Sequence, residues 1–373
     1  PRLDTPPGES TLVTIPYRLP EPLPAAEAPQ EDAELELQEA PDAPLLLQLD
    51  FCTPVIFASN KTITFLKNQF DLGLKFHGIP DASQAIEGKV NVVNAWKDAP
   101  DIEFGKPTQE AGKYAIRSLK AAVASLKKGT VDILVTAPIN KKTVQSEEFK
   151  FPGHTDYLAR ELEGESLMFM VTDTLKVGLV TDHVPVKEAP SLITEKRIVE
   201  KIRAMEDSLI RDFAVSKPKI AVLGINPHSG DEGVIGMEDE EVLKPTLQKL
   251  VENQHLVFGP YAADTFFASD NYLNFDGVLA CYHDQGLIPF KTLSFGKGVN
   301  FTAGLSRVRT SPDHGTAYDI AGKDEANPDS FKEAVFMGIR IYQNRTEYEE
   351  LSSNPLKKHK LKRGGKGVGK QGK

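Results

Sequence analysis

Three histidines in this chain stand just beyond short apolar runs. Val177-Gly178-Leu179-Val180 leads into Thr181-Asp182-His183, Ile220-Ala221-Val222-Leu223 into Asn226-Pro227-His228, and Val278-Leu279-Ala280 into Cys281-Tyr282-His283. Neutral imidazoles that converge from separate strands suit a zinc ion or a related divalent metal with one position open to substrate. A lone histidine at a strand end is ordinarily a hydrogen-bonded loop residue, so this reading requires the three strands to be neighbours. His77, His255 and His359 have no such setting and read as surface or packing residues.

A second group suits an anion. Val135-Thr-Ala-Pro-Ile-Asn-Lys141 is a strand followed by a polar turn, and Phe151-Pro-Gly-His-Thr-Asp156 sets His154 and Thr155 after a glycine. Further on stand Lys291, Asn300, Arg309 and the run Thr310-Ser-Pro-Asp-His-Gly-Thr316. Cations mixed with amide and hydroxyl groups hold phosphate or carboxylate. No G-x-G-x-x-G follows a strand, and Gly230–Gly236 has only the near-miss spacing G-x-x-G-x-x-G, so a dinucleotide would not use the ordinary Rossmann loop. Residues alone lead to a metal-assisted enzyme acting on a small anionic substrate, with hydrolase and dehydrogenase both open.

The elements that must position these groups are strands alternating with helices. Val55-Ile56-Phe57 and Ile133-Leu134-Val135 join the three runs above as buried strands. Helical periodicity covers Pro107 to Lys128, closed by Gly129, and follows Thr194 with Ile198, Ile202, Met205 and Leu209 on one stripe. The pattern predicts an α/β fold with a largely parallel sheet. In such sheets ligands bind at the carboxyl ends of the strands.

The chain has 373 residues and a formal charge of −9. That charge is uneven. Residues 1–50 hold 11 acids, 2 bases and ten of the 26 prolines, and residues 356–373 hold 8 bases and no acid. We expect a disordered acidic head over 1–50, a catalytic body over 51–355 and a flexible basic tail over 356–373. Gly364–Lys370 fits G-x-x-x-x-G-K formally, but no strand precedes it and Gln371 replaces the Ser/Thr of a phosphate loop. No apolar run is long enough to span a membrane, and no secretory signal opens the chain. Two cysteines, Cys52 and Cys281, read as buried thiols in a reducing cytoplasm. The acidic body argues against nucleic acid as a partner.

These motifs resemble those of the 4-hydroxythreonine-4-phosphate dehydrogenases of pyridoxine biosynthesis. Besides the segments above, the matching ones are Asn226-Pro-His-Ser-Gly230, Ala263-Asp-Thr-Phe266, Cys281–Pro289 and Arg309–Ala317. The resemblance runs from about Cys52 to about Pro355. It implies a three-layer fold like that of isocitrate and isopropylmalate dehydrogenases, with two interleaved domains, a cleft active site and a homodimer. It implies that His183, His228 and His283 bind a divalent metal (zinc, magnesium or cobalt), with one ligand donated across the dimer. His154, Thr155, Lys291, Asn300 and Arg309 would hold the phosphorylated substrate. The resemblance further implies NAD or NADP as cofactor, and no residue can be matched to it. A dehydrogenase of another phosphorylated hydroxy acid, such as erythronate or threonate 4-phosphate, shares these groups. Family members open with a strand and a Gly-Asp…Gly-Ile-Gly…Glu segment that nothing in residues 1–50 matches. The expectation is therefore a sheet short of one buried strand, and an impaired, non-catalytic relic is a further alternative.

Overall fold

The computed structural model describes residues 15–18, 52–98, 101–147, 149–151, 153–323 and 325–355. The acidic head apart from 15–18, His359 and the basic tail lie outside the described residues.

Among the described residues twelve strands form one sheet. In chain order they are β1 Ile15–Arg18, β2 Thr53–Ala58, β3 Phe76–Ile79, β4 Val90–Asn94, β5 Ile133–Val135, β6 Gly164–Val171, β7 Lys176–Leu179, β8 Ile220–Leu223, β9 Val257–Tyr261, β10 Gly277–Ala280, β11 Val299–Leu305 and β12 Val308–Pro312. Across the sheet the order is β3-β4-β2-β1-β5-β12-β11-β6-β7-β10-β8-β9. The helices are α1 Asn60–Gln69, α2 Gln109–Lys128, α3 His154–Glu161, α4 Ala189–Leu192, α5 Glu195–Arg211, α6 Lys244–Glu252, α7 Ala263–Ala268, α8 His283–Ser294 and α9 Asp329–Ser352.

The α/β class holds, with helices on both faces, but the sheet is mixed rather than largely parallel. β11 runs antiparallel to both β12 and β6, and β6 antiparallel to β7. Short connections, such as the turn from β6 to β7 and from β11 to β12, force this, because only antiparallel neighbours can be joined so briefly. The two helices read from periodicity both form. Thr108 and Thr194 cap them through their hydroxyls, and Gly129 closes α2 in the left-handed region at φ 72°. Ile198, Ile202, Met205 and Leu209 are all fully buried.

The missing strand is the second correction. Ile15–Arg18 lies inside the sheet, antiparallel to β2 on one side and to β5 on the other. The four-residue strand is too short to stand out in a proline-rich acidic background, and its Pro16 and the facing Pro54 each lack an N–H for the ladder.

The faces of the sheet explain where a cleft can open. On one face a single core runs from Ile56 and Val92 through Val135, Phe301 and Phe169 to Val222 and Val257, covered by α5, α6 and α9. The other face carries two separate cores. One joins β2, β4 and β5 to α2 and α3, and the other joins β6, β7, β8 and β10 to α7 and α8. Between them lie β12 and β11. Strand alternation sends Val299, Phe301, Ala303 and Val308 into the shared core, so Asn300, Thr302, Arg309 and Ser311 face the gap. A polar floor between two apolar blocks is the cleft.

Candidate active site

β7, β10 and β8 are consecutive and parallel, so their carboxyl ends, and the loops bearing His183, His283 and His228, share one edge. Side chains zip these loops together. Thr181 donates through its hydroxyl to the Cys281 carbonyl at 2.6 Å. Gln285 accepts from the Cys281 N–H and donates to the Gly224 carbonyl, each at 2.7 Å. Tyr282 donates through its hydroxyl to the Ile225 carbonyl at 2.8 Å. Gly286 lets α8 press onto the sheet, since a Cβ there would stand 2.9 Å from side-chain carbons of Ala280, Leu179 and Val177. That close seating holds His283, the first residue of α8, beside the end of β7.

The result is a histidine pair. The rings of His183 and His283 lie 5.6 Å apart between centroids, tilted by 47°. Two imidazoles sharing one tetrahedral zinc at Zn–N distances of about 2.0–2.1 Å place their ring centres about 5 Å apart, so the pair fits a metal. Nδ1 of His283 contacts the Asp284 carboxylate at 2.7 Å, which orients the ring and leaves Nε2 as the donor nitrogen. Partial desolvation, then Lys141, holds the His183 pKa below the usual imidazole range, favouring the neutral, ligating form. His228 does not join them. Among the described residues no group of three or more His, Cys, Asp or Glu side chains is placed to hold a metal.

His228 sits exposed on an unusual turn. From His228 to Glu232 five residues in succession are left-handed, with φ of 52°, 53°, 81°, 44° and 55°. Fully buried Asp239 braces the turn, its carboxylate accepting from the N–H of Ile225 at 2.7 Å, the N–H of Asn226 at 2.8 Å and the Asn226 side chain at 3.1 Å.

Part of the group that the sequence offers for an anion, Arg309, Asn300 and His154, lies on or over the polar floor. Arg309 is 2% exposed. Its Nε and Nη2 donate to the Thr136 hydroxyl at 3.1 and 2.7 Å, and its Nη1 to the Thr302 hydroxyl at 3.1 Å. Among the described residues it has no carboxylate partner, and burial pushes its pKa down to about 9. His154 opens α3 over this floor, with Thr155 next in the same first turn. Its Nε2 is sealed from solvent without a hydrogen-bond partner, as is Oδ1 of Asn300. Burial, then Arg309 and Lys141, holds His154 well below the usual imidazole range, so it is neutral. Lys291 stands apart, its ammonium 2.7 Å from the Asp313 carboxylate beyond the end of β12.

Sequence reasoning missed Thr136 and Thr302, the hydroxyls that grip Arg309, and gave no role to Lys141. Lys141 acts electrostatically on both His154 and His183, and so links the anion floor to the histidine pair. The only signal was that Thr136 and Lys141 lie in the same quoted motif. His77 is exposed on β3, and His255 pairs with Glu206 at 2.7 Å. Cys52 and Cys281 are buried. Among the described residues no helix is long and apolar enough to cross a membrane.

The family model for the pyridoxal phosphate biosynthetic protein PdxA matches residues 50–338. The chain belongs to the PdxA family. A 4-hydroxythreonine-4-phosphate dehydrogenase of Bacteroides thetaiotaomicron is 46% identical over 312 residues, which are 83% of this chain and 86% of the relative. One from a Sulfurihydrogenibium species is 40% identical over 293 residues, 78% of this chain and 89% of the relative. Among solved structures, the Klebsiella pneumoniae enzyme of that name matches with a TM-score of 0.68 and 31% identity, covering 78% of this chain and 88% of the other. The Burkholderia phymatum enzyme matches at 0.65 and 35%, covering 78% and 89%. Membership in the PdxA family makes this chain a dehydrogenase of pyridoxine biosynthesis, and the polar floor and histidine pair are its candidate catalytic cleft.

Proposed function

We propose that the cleft oxidises 4-phosphohydroxy-L-threonine with NAD or NADP. The product is 2-amino-3-oxo-4-phosphooxybutanoate, which loses CO₂ to give 3-amino-2-oxopropyl phosphate. The observation that carries this reading is Arg309, a cation buried among hydroxyls beside a neutral histidine. An isolated buried charge costs several kcal/mol on the order of a buried ion's desolvation, and an anionic ligand offsets that cost. Arg309, His154 and Thr155 take the phosphate, and Asn300 Oδ1 accepts from a substrate hydroxyl or amine. Lys291 closes the same end when Asp313 releases it.

His183, His283 and His228 would hold a divalent ion, zinc by donor type and magnesium or cobalt as alternatives. The chemistry such an ion supplies is polarisation of the substrate hydroxyl. Desolvation, then Lys141, favours the neutral form of His183, and the Asp284 contact at Nδ1 of His283 leaves its Nε2 as donor. A bound NAD or NADP would supply the hydride acceptor: the hydroxyl-bearing carbon would lose a hydride to it and the oxygen a proton to solvent, giving the ketone.

His228 comes from a second subunit in this reading. Around its loop and α8 stand exposed apolar side chains: Val234 at 81%, Ile288 at 63% and Phe295 at 85%, with Ile235 and Met237. A second copy of the chain covers this patch and brings its His228 to the pair. The place of action is the cytoplasm, in keeping with the two buried thiols.

The test is reduction of NAD or NADP by the metal-loaded chain on a panel of 4-phosphohydroxy-L-threonine, erythronate 4-phosphate and threonate 4-phosphate. Turnover preferring the first supports the reading. Preference for another member, or a folded, metal-loaded but inert protein, overturns it.

A further inference from the structure

We propose that Thr136 and Thr302 are positioning residues that keep Arg309 charged, oriented and uncompensated, and so set the specificity of the cleft for a phosphoryl group. The inference rests on the reading that this floor takes the substrate phosphate.

The case is built from the ladder and the donor inventory. Arg309 and Thr302 are the next residues along the antiparallel β11–β12 register that pairs Phe301 with Thr310, and Arg309 lies across from Leu134 in the parallel β5–β12 pair. Thr136, two residues beyond Leu134, therefore reaches the same face, and its N–H is fixed in the sheet by the Thr310 carbonyl at 3.0 Å. The β-branched threonines are stiff at χ1, so their hydroxyls are set by the strand backbone and not by loop motion. A guanidinium has five N–H groups. Thr136 takes one from Nε and one from Nη2, and Thr302 takes one from Nη1. Each terminal nitrogen keeps one N–H for a ligand.

The chemistry of the acceptors matters as much as their position. A carboxylate in place of either hydroxyl would satisfy the same N–H groups, but it would cancel the charge and repel an anion. A neutral hydroxyl satisfies geometry while leaving the full positive charge to the ligand. The buried, unpartnered Nε2 of His154 faces the same problem from the other side, because it waits for an oxygen.

The experiment measures inorganic phosphate binding by calorimetry, together with KM and kcat on the phosphorylated substrate, in wild type, Thr136→Val, Thr136→Ser and Thr302→Val. The expected result is phosphate affinity weakened by about tenfold or more in Thr136→Val. KM should rise in parallel, kcat should stay within about twofold, and the serine variant should return close to wild type. A purely structural threonine would lower Tm or kcat and leave phosphate binding alone. Thr136→Val binding phosphate as wild type does overturns the inference. If that variant does not fold, Thr302→Val decides by the same criterion. Wild type that turns over substrate yet binds no phosphate overturns the underlying reading of the floor instead.

Discussion

At the scale of single residues the proposed phosphate site would trade stability for recognition. Arg309 is buried with no opposite charge among the described residues, and taking one ion out of water costs on the order of several kcal/mol, a cost that an apolar side chain there would not incur. Arg309→Met should therefore raise Tm by a few degrees, at roughly 2–4 °C per kcal/mol, while KM rises by about a hundredfold or more. Thermal unfolding and steady-state kinetics on one preparation check this, and a lower Tm would show that the charge is compensated. His154 gives a pH signature. Its folded pKa is depressed by burial, so the unfolded chain takes up a proton first as pH falls. Stability from this group is complete above the unfolded value of about 6.5 and is lost as pH drops below it, with a slope of up to about 1.4 kcal/mol per pH unit. The unfolding free energy of wild type minus that of His154→Gln should rise with pH up to that value and then level off. A flat difference from acid to neutral pH would show that the ring is not buried neutral. Both residues were legible as candidates because of their types and turn setting. The burial that gives them their chemistry was not, since Thr136 and Arg309 are far apart in sequence and only the sheet order joins them.

At the scale of elements the informative part is the loop after β8. Four non-glycine residues there hold left-handed backbone, at roughly 1–2 kcal/mol each, and Asp239 is the buried group that offsets this strain. Asp239→Asn keeps the shape but turns one acceptor oxygen into a donor facing backbone N–H groups. It should cost about 2–4 kcal/mol and open the turn to cleavage after Glu232 or Glu238. Limited proteolysis with a glutamate-specific protease, alongside Tm, reads this directly; cleavage at the wild-type rate would mean the turn holds itself. The sequence shows why such features stay hidden. Five short apolar runs were enough to find the central strands, and helical periodicity was enough for α2, with Gly129 at its end, and for α5 after Thr194. β11 and β12 were read as a scatter of polar ligands because alternate residues face a polar cleft and break the apolar run. Ile15–Arg18 was hidden for the opposite reason, since four strand residues cannot outweigh ten prolines and an acidic background.

At the scale of the whole molecule the net charge says little about the site. The acids dominate the total, yet the floor is locally positive because Arg309 and Lys141 act over short distances in a poorly solvated cleft. The geometry also divides the three histidines proposed to hold a metal: His183 and His283 face each other within one chain, while His228 stands exposed on the turn that carries Val234, Ile235 and Met237. If a second copy completes the site, variants damaged in different ligands should rescue each other. His183→Ala and His228→Ala should each be inactive alone. In a mixed dimer one site draws His183 and His283 from one chain and an intact His228 from the other, while the second site lacks both altered ligands. Random mixing makes half the dimers mixed and half of their sites whole, so about a quarter of wild-type activity should return. The same mixture should bind zinc at about that fraction, a readout independent of turnover. Phe295→Asp, placed in the patch, should abolish the rescue by separating the subunits, as sedimentation would show. No recovery from a mixture whose subunits demonstrably exchange would place all three ligands in one chain and require the His228 turn to move onto the pair.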